Sequence, residues 1–572
     1  MYNLGISCYY HDSAAALLKD GHVIAAVEEE RFSRKKFDDG FPEMAIEWCL
    51  NEAKITPAQI DSIAFYDKPL LKFERLLDNY IAVAPRGLYS FVHTIPKWIH
   101  KRLWVKDEIR QNLKGFKGEI FFPEHHLSHA AYTFYTSQFD EAAILTIDGV
   151  GEWSTTSVGI GHNTTISLTH DIRWPHSLGL FYSAFTYFLG FQVNEGEYKL
   201  MGLASYGKPK FYDTILENLI DVKSDGSIHL NMEYFAFTYD KIMTNKKFSK
   251  LFGIERKTAN EEMKQIHYDI GASAQKVLED ILLKMANFIY EETHMKNLCL
   301  GGGVALNGVA NYRLVKESPF ENIYVPPSPG DAGSAIGCAQ YLYYVHHEKP
   351  RTLESDFSKR VIENVYVGPS YSNMKIKQFL DTNKIPYENL EKEVLLKTTA
   401  KLISEGNVVG WYQGRMEWGP RALGNRSILA DPRRAEMKDI LNEKIKHRES
   451  FRPFAPSILE EFTSEYFDID VSSPYMLAVA PVKKPNKIPA VTHVDGTGRL
   501  QTVSKQSNSL YYELISEFYK LTDVPVIINT SMNVKGEPIV NTPKQAYNML
   551  LKTDMDCIML GNYKVVKNVS RS

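Results

Sequence analysis

The chain has 572 residues, 44% of them hydrophobic, with 66 Lys and Arg against 69 Asp and Glu, a formal charge of -3. That length exceeds what one hydrophobic core organises, so two or three domains are expected, and the balanced charge removes any electrostatic reason to expect a nucleic-acid partner. Five scattered cysteines (Cys8, Cys49, Cys299, Cys338, Cys557) without a CxxC exclude a disulfide framework and a zinc-thiolate site, and the sequence shows neither a leader pattern nor an apolar run of about 20 residues, so a cytoplasmic protein with no membrane partner is expected.

In chain order, "NLGISCYYHDSAAALLKDGHVIAAVEEERFSRKK" predicts strand, polar turn at His11-Asp12-Ser13, strand, an Asp20-Gly21 hairpin turn, and a third strand. "LYSFVHTIPKWIHKRLWVKDEIRQNL" is basic and aromatic on a helical period and predicts an amphipathic helix with its aromatics toward the core. "EAAILTIDGVGEWSTTSVGIGHNTTISLTHDI" repeats the opening plan: a strand to Asp148, a glycine turn, a strand from about Trp153, and another strand, which points to a duplicated architecture. A helix from about Asp269 to Glu292 leads into "NLCLGGGVALNGVANYRL", read as strand, three glycines and helix. "ENIYVPPSPGDAGSAIGCAQYLYY" then gives strand, Pro-rich turn, and a small-residue helix starting at Gly330-Asp331. The charged, weakly periodic stretch from about 346 to 360 reads as a linker, with a second domain after it.

His125 and His129 stand at i,i+4, so a helix projects both imidazoles from one face, with His126 turned away. An HxxxH pair alone is weak evidence, since histidines often cap or pack. Asp148 and Asp331 strengthen it, because each sits by a strand end in a glycine-containing turn, where a carboxylate reaches a cleft. Two imidazoles and two carboxylates suit iron, zinc or manganese better than copper. Gly149 and Gly151, and the run Gly301, Gly302 and Gly303, let backbone N–H groups approach phosphates, with the following helix N-terminus in support.

The HxxxH, "TIDGVGE", "LGGGVALN" and "SPGDAGSAIG", preceded by "HDSAAALL" and "EEERFSRKKFDDGFP", resemble the N-terminal half of the NodU/CmcH family of O-carbamoyltransferases. The resemblance implies a Kae1-like domain of the actin/sugar-kinase/Hsp70 superfamily, an α/β duplicated ribonuclease-H-like fold, over residues 1–350. It implies an iron-type site of His125, His129, Asp148 and Asp331, with Asn307 on the nucleotide side. His11 matches the family's "HD" and is a candidate general base, with a polar turn residue as the plain alternative; Lys36 matches the lysine of its "EER…K" stretch, followed here by Phe37 where a histidine is expected. "GEYKLMGLASYGKP" also matches, which makes Glu197 or Lys199 a cleft residue.

Residues 351–572 carry "GWYQGRMEWGPRALGNRSILADPR" and "LNEKIKHRESFRPFAPS". Arg415, Arg421, Arg426, Lys446, Arg448 and Arg452 are interleaved there with Gly, Pro and aromatics rather than paired at i,i+4, a density that suits two anions held together. Salt bridges to Glu417 and Glu449 could absorb two of these arginines. Downstream stretches add Met476, Arg499, Asn529, Ser531 and Asn533 on apparent strand ends. These segments resemble the family's YrdC-like α/β domain, where Lys446 and Arg448 would hold the carbamoyl donor.

The resemblance implies that carbamoyl phosphate and ATP, with Mg²⁺, give carbamoyladenylate and pyrophosphate, and that the carbamoyl group then passes to a hydroxyl of a small natural product or sugar, releasing AMP. A homodimer is expected as the commonest assembly. Two alternatives compete: threonylcarbamoyl-type transfer to tRNA, disfavoured by the balanced charge, and a nucleotide-binding ATPase or chaperone-like module, which needs no second anion cradle.

Overall fold

In strand β1 (Tyr2–Ser7) every residue after Tyr2 is buried, and β2 (Ala14–Lys19) is buried up to Lys19, the pattern of strands covered on both faces. The structure, a computed structural model, describes residues 1–258, 261–353, 365–448 and 452–567. β1 and β2 pair antiparallel, with Gly5 opposite Ala16, and β3 (His22–Glu28) follows a turn in which Asp20 and Gly21 both have positive φ, 51° and 82°. β4 (Ser62–Phe65) and β5 (Glu119–Phe121) join in parallel on the far side of β1, giving the order β3-β2-β1-β4-β5.

The same plan recurs. β6 (Glu141–Ile147), β7 (Ser154–His162) and β8 (Thr165–Arg173) form an antiparallel meander; β9 (Ile220–Val222) and β10 (Ile228–Leu230) make a separate ribbon; β11 (Asn297–Gly301) and β12 (Asn322–Tyr324) add in parallel beside β6. The order β12-β11-β6-β7-β8 repeats the first sheet strand for strand. The duplication expected from the doubled sequence pattern is thus present, in the ribonuclease-H-like fold that the family resemblance implies.

The basic aromatic segment departs from its expectation. It forms a helix over Leu88–His100, a short 3-10 turn over Arg102–Trp104 and a second helix over Val105–Asn112. Trp98 and Ile95 are buried, three residues apart on one face, but Tyr89 is 67% and Trp104 56% exposed. Tyr89 stands on the exposed side of the first helix, and the helix ends at Lys101 before Trp104, so the aromatics do not form one core-facing stripe.

The chain divides into two compact units, one of Met1–Ala25 with Asp39–Glu354, the other of Ala26–Asp38 with Ser355–Ser572. Ala26–Asp38 lies inside the 1–350 span expected for the first domain yet clusters with the second unit. Within that unit the Arg31 guanidinium donates to the Gly419 carbonyl at 2.9 Å, Glu28 accepts the Gly419 N–H at 2.9 Å, and Arg34 donates to the carbonyls of Pro538 and Ile539, each at 2.7 Å. The second unit is α/β as well. Its strands are β13 (Glu388–Asn389), β14 (Val409–Tyr412), β15 (Arg426–Ala430), β16 (Ala455–Leu459), β17 (Ala478–Pro481), β18 (Thr497–Val503), β19 (Val526–Ser531), β20 (Cys557–Leu560) and β21 (Tyr563–Val566). They form one mixed sheet ordered β13-β21-β20-β14-β15-β19-β16-β18-β17. The expected linker at 346–360 runs into residues 354–364, which lie outside the described residues. Among the described residues no helix is long and apolar enough to cross a membrane, and all five cysteines are free and buried.

Candidate metal centre and anion cradle

The histidine helix, His125–Thr136, is buried along nearly its whole length, and its alanines and small polar residues let neighbours approach closely. The Glu152 carboxylate accepts the first N–H of the helix, that of His125, at 3.1 Å from each oxygen, and so balances the positive helix end. A second helix, Asp331–Tyr341, packs on it through glycine: a Cβ at Gly337 would stand 2.0 Å from the Ser128 carbonyl oxygen. Gly302, at φ 85°, brings the loop after β11 so near the end of β6 that a Cβ there would stand 2.2 Å from the Ile147 oxygen. Only residues without side chains permit these approaches.

The result is a buried quartet. His125 Nε2 lies 2.9 Å from Asp148 Oδ2 and 3.5 Å from Asp331 Oδ1; His129 Nε2 lies 3.4 Å from each of the same two oxygens. One donor atom from each of the four residues falls within 4.8 Å of all the others. Both oxygens of Asp331 are buried without a hydrogen-bond partner, whereas Asp148 Oδ1 accepts the Gly303 N–H at 3.1 Å, leaving Oδ2 to face the histidines. Burial pushes Asp148 up, but His125 and His129 outweigh it and hold this carboxyl well below the usual range. Burial likewise opposes charge on His129, yet Asp148 and Asp331 push it up to about 9. Two buried carboxylates thus demand positive charge at the point where two imidazoles converge, and the mixed N/O donor set fits a divalent cation.

His126 is not part of the set: its Nδ1 lies 2.7 Å from Thr146 Oγ1, and burial, with His125 and His129 nearby, pulls it down to about 3. His11 does reach the site. Tyr9 and Asp12 both adopt positive φ, 76° and 52°, and this tight turn sets His11 Nε2 3.9 Å from Asp331 Oδ2 while Nδ1 lies 2.9 Å from Asp12. Burial works against its charge, but Asp331 and Asp12 push His11 up to about 10.

On the glycine side, Asn307 is paired both ways with Gln275, each amide donating to the other at 3.0 Å, and Tyr182 donates to Gln275 at 2.7 Å. Glu197 accepts from Ser183 at 2.7 Å, and the Lys199 ammonium stands 5.9 Å from the Phe191 ring centre. Gln275, Glu152 and Ser334, which lies 3.2 Å from His129 Nδ1, escaped the sequence reading because a polar residue on an otherwise ordinary helix or turn carries no local signal.

In the second unit the π-helical turn Leu441–Lys446 buries the Lys446 ammonium against β19: it donates to the carbonyl of Ser531, and to Asn533 O at 3.0 Å and Oδ1 at 3.1 Å. Burial, then Arg448, Arg452 and Lys36, push Lys446 well below the usual lysine value. Lys36 belongs to this unit, its ammonium 4.5 Å over the Phe37 ring. Arg448 Nε donates to Asn442 Oδ1 at 2.8 Å. Other predicted residues are held by the frame itself. Arg426 is fully buried and donates to the carbonyls of Gln413, Asn425, Pro369 and Gly414 at 2.5 to 3.2 Å, and Arg415 donates to those of Gly368 and Val367 at 3.2 and 2.7 Å. Glu417 accepts three backbone N–H groups, from Leu423, Asn425 and Arg426, at 2.7 to 3.0 Å, and so shapes the arginine-bearing loop; Glu449 lies outside the described residues. Asn529 donates to Gln501 at 2.9 Å, and Met476, at φ 58°, is buried, as is Arg421 Nε, while Arg499 lies on β18.

A family model described as carbamoyltransferase N-terminus matches residues 2–340, and one described as carbamoyltransferase C-terminus matches residues 400–567. The chain belongs to the carbamoyltransferase family. The motifs had led to that expectation. Within this family the chain is 47% identical to an uncharacterized protein of Synechocystis, over 99% of this chain and 96% of the relative. It is 37% identical to nodulation protein NolNO of Sinorhizobium fredii, over 98% of this chain and 80% of the relative. An uncharacterized Methanocaldococcus jannaschii protein is 32% identical over 99% of both chains. The N-terminal family model spans all four metal-quartet residues, and the C-terminal one spans Lys446, Ser531 and Asn533.

Proposed function

We propose that this carbamoyltransferase uses ATP to move the carbamoyl group of carbamoyl phosphate to a hydroxyl of a small natural product or sugar, with one half-reaction in each unit. Carbamoyl phosphate is cleaved by water to carbamate and phosphate. A carbamate oxygen then attacks the α-phosphorus of ATP, the bond to pyrophosphate breaks, and carbamoyladenylate forms. Finally the acceptor oxygen attacks the carbamoyl carbon, the bond to the AMP oxygen breaks, and the hydroxyl proton passes to a base. The observation that carries this reading is that the family's two models cover both units, each over a buried polar site.

In the YrdC-like second unit, Lys446 is buried among Arg448, Arg452 and Lys36, whose potential disfavours its charge, and the negative charge of donor and triphosphate, the latter with Mg²⁺, would offset that potential and stabilise the ammonium. Carbamate decomposes readily in water, so a closed cationic site protects it.

In the Kae1-like first unit, His125, His129, Asp148 and Asp331 would hold a divalent cation, iron by family resemblance. Such an ion, when bound, supplies Lewis acidity toward a phosphate or carbonyl oxygen. His11 is the base: Asp12 fixes Nδ1 at 2.9 Å, and Nε2 faces the site. Of the glycine-loop donors expected for the AMP phosphate, the Gly151 N–H is taken by the Ser154 carbonyl at 2.8 Å, the Gly302 N–H by the Pro329 carbonyl at 2.8 Å and the Gly303 N–H by Asp148 at 3.1 Å, and the Asn307 amide is paired with Gln275, so a phosphate placed there would have to compete with these bonds.

The test is nucleotide product analysis on the full chain with ATP and Mg²⁺, with and without carbamoyl phosphate. Pyrophosphate release that requires carbamoyl phosphate is expected. Formation of ADP and phosphate regardless of the donor would replace this reading by a simple ATPase.

A further inference from the structure

Beside the metal quartet, the first unit contains a cavity of about 210 Å³, room for roughly seven waters at about 30 Å³ each. Two of its lining residues adjoin the proposed transfer site. Val150 sits in the glycine turn directly after Asp148, and Tyr10 precedes His11, their rings 4.7 Å apart.

The lining also includes Arg75, from the helix Pro69–Val83. This residue is 8% exposed, and its Nε and Nη1 are buried without a hydrogen-bond partner. Its guanidinium lies 5.0 Å from the centre of the Trp174 ring. The polar neighbours are engaged elsewhere. Asn79, one turn along the same helix, accepts the Trp174 indole N–H at 3.0 Å and donates to the Thr238 carbonyl at 2.6 Å. Asp240, the carboxylate in the lining, accepts the Lys241 N–H at 2.6 Å. Burial pulls Arg75 down to about 10, despite the opposing pull of Tyr10, Glu152 and Asp67. A desolvated guanidinium without a bonded counter-charge is unfavourable by itself, and its planar fork is shaped for an oxyanion. Asn79 anchors Trp174 against one side of the cavity, giving a rigid apolar face of the kind on which the C–H side of a sugar ring rests. The nucleotide-side residues Gly301 to Gly303 and Asn307 are not among those that line it.

We propose that this pocket binds the acceptor, and that the acceptor is a monosaccharide-sized hydroxylated compound bearing a carboxylate or phosphate that pairs with Arg75. The inference rests on the carbamoyl-transfer reading above, since only that reaction calls for an acceptor beside His11. Arg75 is thereby a specificity-determining residue, and the Trp174 face orients the ring so that a hydroxyl points past Tyr10.

The experiment titrates the full chain with glucuronate, glucose 6-phosphate, glucose and inorganic phosphate, by calorimetry or saturation-transfer NMR. One charged sugar or both should bind on the order of tenfold tighter than glucose, and glucose 6-phosphate tighter than phosphate alone, because ring and charge act together. Which charged sugar binds better decides between carboxylate and phosphate. Arg75→Ala and Arg75→Gln should each erase the preference for charge, and Arg75→Lys should keep part of it; if the alanine variant fails to fold, the glutamine variant and the wild-type preference still decide. Equal binding of glucose and the charged sugars overturns the proposal. So does a charge preference that survives both neutral substitutions, or the absence of saturable binding by any probe. Full competition by AMP would reassign the pocket to the nucleotide. Pyrophosphate release is read separately on the wild type, so failure of the carbamoyl reading is distinguished from failure of the Arg75 site.

Discussion

Ser334 Oγ lies 3.2 Å from Nδ1 of His129, the imidazole whose Nε2 faces Asp148 and Asp331. Ser334 stands three residues after Asp331 on one helix, so a single turn provides both a ligand carboxylate and the group that orients a ligand imidazole. Ser334→Ala keeps the four donors but frees the ring. Metal affinity should fall by about 10-fold to 100-fold, read by competition with a chelator on the purified chain. Unchanged affinity would show that packing alone holds His129.

His129→Ala removes one of the two nitrogens shared by the carboxylates. The purified variant should retain little metal by elemental analysis and should lose transfer to an acceptor. Full transfer with no bound metal would separate the quartet from the chemistry.

Lys446→Ala removes the only ammonium bonded to both Ser531 and Asn533 among the described residues. Carbamoyl-phosphate-dependent pyrophosphate release should drop by about a hundredfold or more, the scale of losing one preorganised electrostatic contact. A rate within a factor of two of wild type would take Lys446 out of the site.

Gly337→Ala tests the helix contact that brings the ligands together. A Cβ there would stand 2.0 Å from the Ser128 oxygen and 2.7 Å from the Tyr132 nitrogen, both backbone atoms with little freedom to move. Overpacking of this kind costs about 1–3 kcal/mol, so the urea midpoint should fall, and metal affinity with it. A variant with wild-type stability would mean the two helices shift at no cost.

His176 gives a pH dependence with a definite sign. Its Nδ1 accepts the Leu230 N–H at 3.1 Å, which requires the neutral ring, and burial together with His229 lowers its pKa below the ordinary value. A histidine depressed in the folded state stabilises fully above the unfolded value of about 6.5 and loses that contribution as pH falls. Hydrogen exchange at the Leu230 amide should therefore speed up, after correction for intrinsic rates, when pH drops from about 7.5 to about 5.5. Constant protection would rule the contact out.

The duplicated sheet plan, the HxxxH pair, Asp148 after a strand and Asp331 at a helix start were legible in the sequence, because each depends on a local pattern: continuous apolar runs bounded by turns in β1 and β6, and i,i+4 on one helix. The dense arginines were legible too, but not their division of labour. Arg426 and Arg415 turn their donors to backbone carbonyls, whereas Lys446 meets Ser531 and Asn533 across 85 and 87 residues. The membership of Ala26–Asp38 in the second unit and the exposure of Tyr89 and Trp104 also went unread, since neither alters local composition.

Sequence alone determined which groups this protein carries and on which kind of element each stands, since those follow from chain spacing and backbone geometry. Tertiary structure decided which of them meet. Asp331 reaches His129, 202 positions earlier in the chain, only because glycines at 302 and 337 let backbones close to distances that any side chain would forbid. The unbonded Nε and Nη1 of Arg75 beside Trp174 are likewise a property of burial, which no single stretch of sequence encodes.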